Sequence, residues 1–207
     1  MSLENKHREI FFKIITNKEF QENILWGKPR NGHPEGSVAS HIFLLEYGLS
    51  QLRELLPLQV GYYNWKIKIL IYIHDSFKMK SEKRVNIHSE KNHANLAAQF
   101  YKTLYPEDKE IYDMILYHDE GYNCWKASQR GDKYESRLLE LFQTIQDWNL
   151  FLLFCILDST TPGKSNEPIL WLIDRLKEWL PSNSQIIRPE MIAFVKASTI
   201  AGEMNHA

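Results

Sequence analysis

Cysteine is scarce: Cys124 and Cys155 are the only two in 207 residues, and they form neither a CxxC pair nor a disulfide framework. That usage fits a reducing compartment. A dominant sign of charge is also missing. With 25 Lys and Arg against 26 Asp and Glu, no global field advertises a long nucleic acid or a membrane surface, so any phosphate must be recognised locally. The longest uninterrupted apolar run, Leu150 to Leu157, is eight residues, far short of a bilayer. The opening MSLENKHREIFF lacks the apolar core of a signal peptide, and a cytoplasmic protein is expected. Internal repeats and low-complexity stretches are absent. The length suits one domain over 1–207, long enough to bury a substantial core.

What is present is helical periodicity. Apolar residues return at three- and four-residue spacing almost everywhere, without alternating runs bounded by hairpin turns, which predicts an all-α protein. Helices are expected over Leu3–Thr16, from an N-cap at Ser37 through Leu56, and over Tyr62–Phe77, His88–Leu104, Glu107–His118, Tyr134–Asp158, Pro168–Trp179 and Pro189–Met204. His41, Leu44, Leu45, Gly48, Leu49, Leu52, Leu55 and Leu56 share one face of the second. The clearest punctuation is the loop GKPRNGHPEG, Gly27 to Gly36, with three glycines and two prolines.

Three polar groups stand where they should not. His41, His74 and Asp158 each fall on or at the end of an otherwise apolar segment, where a lone polar group is costly to bury. A shared divalent cation removes that cost, and imidazole with carboxylate suits Mn, Fe, Co, Ni or Zn better than Ca. Asp75 follows His74 directly, and His93 and His118 lie between this doublet and Asp158. Adjacent helical residues point about 100° apart, so the doublet serves one ion best at a frayed helix end. Each group alone has a plainer reading: a satisfied core histidine, or an aspartate capping the turn Ser159-Thr160-Thr161. Three such coincidences together favour a metal-dependent enzyme.

The order His, His-Asp, Asp resembles the HD superfamily of metal-dependent phosphohydrolases. HDSFK, from His74 to Lys78, is similar to that family's His-Asp-x-x-Lys form. HPEGSVASH, from His33 to His41, resembles a stretch in the HD domains attached to bacterial tRNA nucleotidyltransferases. HANLAA from His93, LYHD ending beyond His118, and LDST around Asp158 match further pieces. The resemblance implies an HD-like helical bundle, core about 33–160, with the metal site in the bundle core. It implies that His41, His74, Asp75 and Asp158 ligate one divalent ion, with His93 and His118 available for a second.

The implied activity is hydrolysis of a phosphomonoester or phosphodiester of a nucleotide or similar small metabolite by metal-activated water. Asp75, Lys78 and His33 are the implied catalytic residues, His33 as general acid or phosphate ligand. Lys78, Arg84, Arg30 and Lys28 are the implied substrate-binding cations, while Lys80 and Lys83 read better as solvated surface and the loop around Lys28 reads equally as an ordinary polar turn. Trp26 and Trp125 lie near enough in sequence to face a nucleobase. His88 has no clear place, Asp119 and Glu120 stay outside the ligand set, and His7 and His206 are expected in solvent. The chain lacks a nucleotidyltransferase head. Lys78 stands where alarmone hydrolases carry acidic residues, and HDEGYNCW lacks the longer cyclic-dinucleotide phosphodiesterase signature. A di-iron oxygenase on the same fold and a non-catalytic nucleotide- or metal-binding regulatory module are the alternatives. Helical apolar faces would serve a homodimer as readily as a core.

Overall fold

The computed structural model describes residues 3–204 except 84 and 183, with side chains as far as 198. Every named element among these residues is helical: α1 (Leu3–Ile15), α2 (Lys18–Asn23), α3 (Val38–Leu55), α4 (Pro57–Tyr62), α5 (Asn64–Ile73), α6 (His93–Leu104), α7 (Lys109–Tyr117), α8 (Glu120–Arg130), α9 (Glu135–Thr144), α10 (Trp148–Ser159), α11 (Glu167–Trp179) and α12 (Pro189–Met204), with a 3-10 turn at Lys78–Lys80. None of these helices is long and apolar enough to cross a membrane.

Two helices set the architecture. α5 buries Ile67, Ile69, Leu70, Ile71 and Ile73 while Asn64, Lys68 and Tyr72 stay partly exposed along one side, and in α10 everything from Leu150 to Leu157 is buried. A helix that is apolar all round belongs in an interior. These two pack on each other; α5 also meets α1, α3 and α7, while α10 meets α3, α11 and α12. The outer helices are amphipathic. α1, for instance, buries His7, Ile10, Phe11 and Ile14, the i, i+3, i+4, i+7 stripe of a helix lying on a core. One contiguous cluster of buried side chains runs from Ile10 to Val195.

Several boundaries differ from the periodicity. The expected helix Tyr134–Asp158 is two helices, because the Asp147 side chain accepts from Leu150 N at 3.2 Å and starts α10 afresh after extended backbone at Ile145. A cap that satisfies first-turn N–H groups competes directly with continuation. In the same way α6 begins at His93 rather than His88, since Asn92 accepts from Ala94 N at 2.8 Å. The Tyr62–Phe77 segment is helical only from Asn64 to Ile73, and Leu55 is half exposed where α3 ends. α8 went unread because it buries only Glu120, Gly121 and Cys124, too thin a stripe for a periodic signal.

His7 is buried rather than solvated. Its Nε2 lies 2.9 Å from Asp108 Oδ2, to which Tyr101 also donates at 2.7 Å, and Asp108 caps α7 by accepting from Ile111 N. Burial alone would raise the Asp108 pKa, but the bonds from His7, Tyr101 and Ile111 N outweigh it and hold the carboxyl below its ordinary range. A depressed folded pKa contributes stability that is present above the unfolded value of about 3.9 and lost as pH falls through the folded one. Asp108→Asn is therefore expected to lower Tm at pH 7 by about 3–12 °C, taking roughly 1.5–3 kcal/mol for bonds to a charged group and about 2–4 °C per kcal/mol. The gap between the two proteins should close toward pH 3; a pH-independent difference would count against this account.

Candidate metal centre

Helix ends bring the site together. His41 lies in the first turn of α3, whose start is fixed by the Ser37 cap bonded to Ser40 N at 3.1 Å. His74 is the C-cap of α5 with Asp75 just beyond, His93 opens α6, His118 is the C-cap of α7, and Asp158 is the penultimate residue of α10. Three helix C-termini and two N-termini thus meet at the cluster. Asp75 leaves the helix as expected, which lets both members of the doublet face inward.

The side chains form two groups, His41 with His74 and Asp158, and Asp75 with His93 and His118. In the first, His41 Nε2 is 2.9 Å and His74 Nε2 is 3.9 Å from Asp158 Oδ1. In the second, the Nε2 atoms of His93 and His118 are 3.3 Å apart, and each lies 3.6 Å from Asp75 Oδ1. Asp75 Oδ2 comes within 3.4 Å of His74 Nε2, so this carboxylate joins the groups. Atoms bound to one ion at about 2.0–2.1 Å stand no more than roughly 4.2 Å apart, and all these separations fit that limit.

Two further observations fit a metal. Among the described residues, His41 Nδ1, His74 Nε2, Asp75 Oδ1 and Glu35 Oε2 are buried without a well-formed hydrogen bond, a costly arrangement unless something else satisfies them. The tautomers are also set. His74 Nδ1 donates to Leu70 and Ile71 carbonyls at 3.1 Å each, and His118 Nδ1 to the Ile115 carbonyl at 2.8 Å. Each ring therefore presents Nε2, the usual way an outer hydrogen bond orients a ligand histidine.

Cations already balance the carboxylates. Lys78 Nζ pairs with Asp75 Oδ2, and Lys164 Nζ lies 2.7 Å from Asp158 Oδ1. Burial pushes both aspartates toward the neutral form, yet Lys78 and His74 at Asp75, and Lys164 and His41 at Asp158, hold them well below the carboxylate range. His118 resists its own burial: Asp119 and Asp75 raise it to about 9. Burial instead keeps His74 below its ordinary value.

A cavity of about 630 Å³ opens beside the cluster. Asp75, His118 and Asp158 form its head with Lys78 and Lys164, while Tyr122, Trp125, Ile169 and Leu172 line the walls; Arg30, His33 and Lys126 also reach it. Of the expected substrate cations, Lys78 and Arg30 line the cavity; Lys28 is exposed and does not, and Arg84 and His206 lie outside the described residues. Trp26 packs against the core instead of the cavity. His88 is exposed, 3.5 Å from Glu140, away from the cavity wall.

Sequence reasoning missed three groups. Asp119, set aside earlier, lies 3.3 Å from His93 Nε2 and 3.6 Å from His118 Nε2; burial raises its pKa, but those histidines pull it below the ordinary range. Adjacency to His118 was the available signal. Glu35 touches His33 and His41 at 3.1 and 3.2 Å, within the HPEG stretch already noted. Lys164 arrives through the turn after Pro162, where Gly163 (φ +82°) sits so close to Pro34 that a Cβ would lie 2.8 Å from its Cδ. Nothing in the periodicity foretells that approach. No protein-family model, curated protein or solved structure matches the chain.

Proposed function

We propose that this protein is a metal-dependent phosphohydrolase of the HD type, acting on a phosphate ester of a nucleotide or similar small metabolite. The observation that carries the reading is the convergence of six side chains able to ligate a metal, in two groups, three of them lining a cavity that two lysines also enter. A divalent ion held by such a set lowers the pKa of bound water and polarises a phosphoryl oxygen. The chain supplies the rest. Lys78 and Lys164 bring positive charge to a phosphoryl group at the cavity head. In its imidazolium form His33, with Nδ1 held by Glu35, can give its Nε2 proton to the leaving-group oxygen and return to the neutral Nδ1–H ring. Trp125 and Tyr122, with ring centroids 5.8 Å apart and planes inclined at 36°, offer an aromatic wall to the organic part of the ester.

The test is turnover of a panel of nucleotide and non-nucleotide phosphoesters after loading with Mn, Fe, Co, Ni or Zn. Metal binding with no product from any of them overturns the hydrolase assignment. The assembly of both ligand groups also suits a di-iron oxygenase, which iron content with oxygen consumption would distinguish.

Proton competition makes loading pH-dependent. His118 at about 9 must lose its proton to serve as a ligand, and His41, raised above its ordinary value by Asp158 and Glu35 against its burial, adds to the demand. Apparent zinc affinity is expected to climb about tenfold per pH unit per proton displaced, levelling near pH 9. Calorimetry in buffers of different ionisation enthalpy should show at least one proton released at pH 7. Without metal the sign reverses: a raised histidine stabilises fully below about 6.5, and that contribution is lost as pH rises through about 9.

Lys164→Met is expected to raise KM about 10–100-fold with metal content unchanged, the loss of a charge-assisted bond of about 1.5–3 kcal/mol. Unchanged KM would remove Lys164 from the phosphate site.

A further inference from the structure

Glu35 is a carboxylate with no surface role. Its side chain is 5 % exposed although it sits in a Gly/Pro-rich loop, and burying a charge there is costly unless it is paired. Two imidazoles face it. Oε1 lies 3.1 Å from His33 Nδ1 and 3.2 Å from His41 Nδ1, while Oε2 is buried with no hydrogen-bond partner and His41 Nδ1 lacks a well-formed bond. Two donors thus share one oxygen while the second oxygen stands unused. An arrangement with one oxygen for each histidine would satisfy both the idle Oε2 and His41 Nδ1.

Backbone bonds shape the loop that carries this carboxylate. Arg30 and His33 exchange N–H···O bonds at 3.0 and 2.9 Å, and Val38 N and Ala39 N bond to Trp26 and Ile24 carbonyls. Gly36, at φ +84°, brings the chain against Pro29, where a Cβ would lie 2.8 Å from Cδ. Burial pushes the Glu35 pKa up, but the bonds from His33 and His41 draw it far below the usual range, so it stays ionised.

We propose that Glu35 is a positioning residue serving two histidines at once, accepting Nδ1–H from His41 on one oxygen and from His33 on the other, and so aiming both Nε2 atoms. His41 Nε2 then faces Asp158 and the ion site, while His33 Nε2 faces the cavity. This rests on the reading of His41 as a ligand given above. Carboxylates behind ligand histidines typically account for about 10–100-fold in metal affinity; this one also ties the cavity histidine to the ligand.

The experiment compares wild type, Glu35→Gln and Glu35→Ala by zinc affinity against a competing chelator and by 15N-edited NMR of the histidine rings in the metal-free protein. Glu35→Ala is expected to weaken zinc binding about 10–100-fold and to speed exchange of both the His33 and His41 Nδ1 protons. Glu35→Gln is the sharper variant, because its amide carries one acceptor oxygen. It should protect one ring proton and expose the other, at near wild-type Tm. Retention of both protected protons in Glu35→Ala, or of full zinc affinity, overturns the proposal. Wild type that takes up no zinc overturns His41 as a ligand instead, and the ring-proton signals then decide Glu35 independently.

Discussion

Asp75→Ala is expected to strip metal from both ligand groups at once. Its Oδ1 stands 3.6 Å from His93 and His118 Nε2, and its Oδ2 stands 3.4 Å from His74 Nε2, so it is the residue common to the two. Removing it also leaves Lys78 unpaired beside four histidines, a charge balance that repels a second cation. Elemental analysis should find wild-type metal lost from the variant, whereas His93→Ala should lose metal from the second group alone. Activity should fall by roughly 10³-fold or more in Asp75→Ala, taking several kcal/mol for the metal's contribution at about 1.4 kcal/mol per tenfold. Metal content equal to wild type in purified, folded Asp75→Ala would sink the assignment of this cluster. Equal losses in Asp75→Ala and His93→Ala would mean that the groups fill only together.

Phe154→Ala should produce the largest loss of stability. The side chain is 1 % exposed on α10, its ring 5.1 Å from His74 and 6.5 Å from His118, and it lines the cavity. Truncating a buried Phe costs about 3–5 kcal/mol, or roughly 6–20 °C in Tm at about 2–4 °C per kcal/mol. The two histidines lose the surface they lean on, so zinc affinity should drop with Tm. Phe154→Leu, which keeps most of the volume, should recover both in large part. A Phe154→Ala protein that melts within 2–3 °C of wild type, on the same scale, would show that the core around α10 relaxes into the gap.

The all-helical class and the inward-facing doublet were legible in sequence for one reason: periodicity reports which residues a helix buries, and α3, α5, α7 and α10 bury a great deal. The polar exceptions to that pattern, His41, His74 and Asp158, were conspicuous against it. What stayed hidden was set by contacts with no period. The break before α10 depends on one Asp147 cap, and the burial of His7 depends on Asp108, 101 residues away. Lys28 and Arg30 are indistinguishable by type and spacing, yet only Arg30 reaches the cavity wall, because the Arg30–His33 bridge turns the loop there. Lys164 joins Asp158 only because a glycine lets its turn lie on Pro34.

His74, Asp75 and Asp158 hang from the ends of α5 and α10, two central helices, and this bears on how an ion held there would leave. Amides in the core of α10, where Leu150 to Leu157 are all buried, should exchange with deuterium only through global opening. A local route for a departing ion through the core of α10 is therefore closed. What remains open is the cavity mouth, past the half-exposed Asp119, whose negative charge attracts a passing cation.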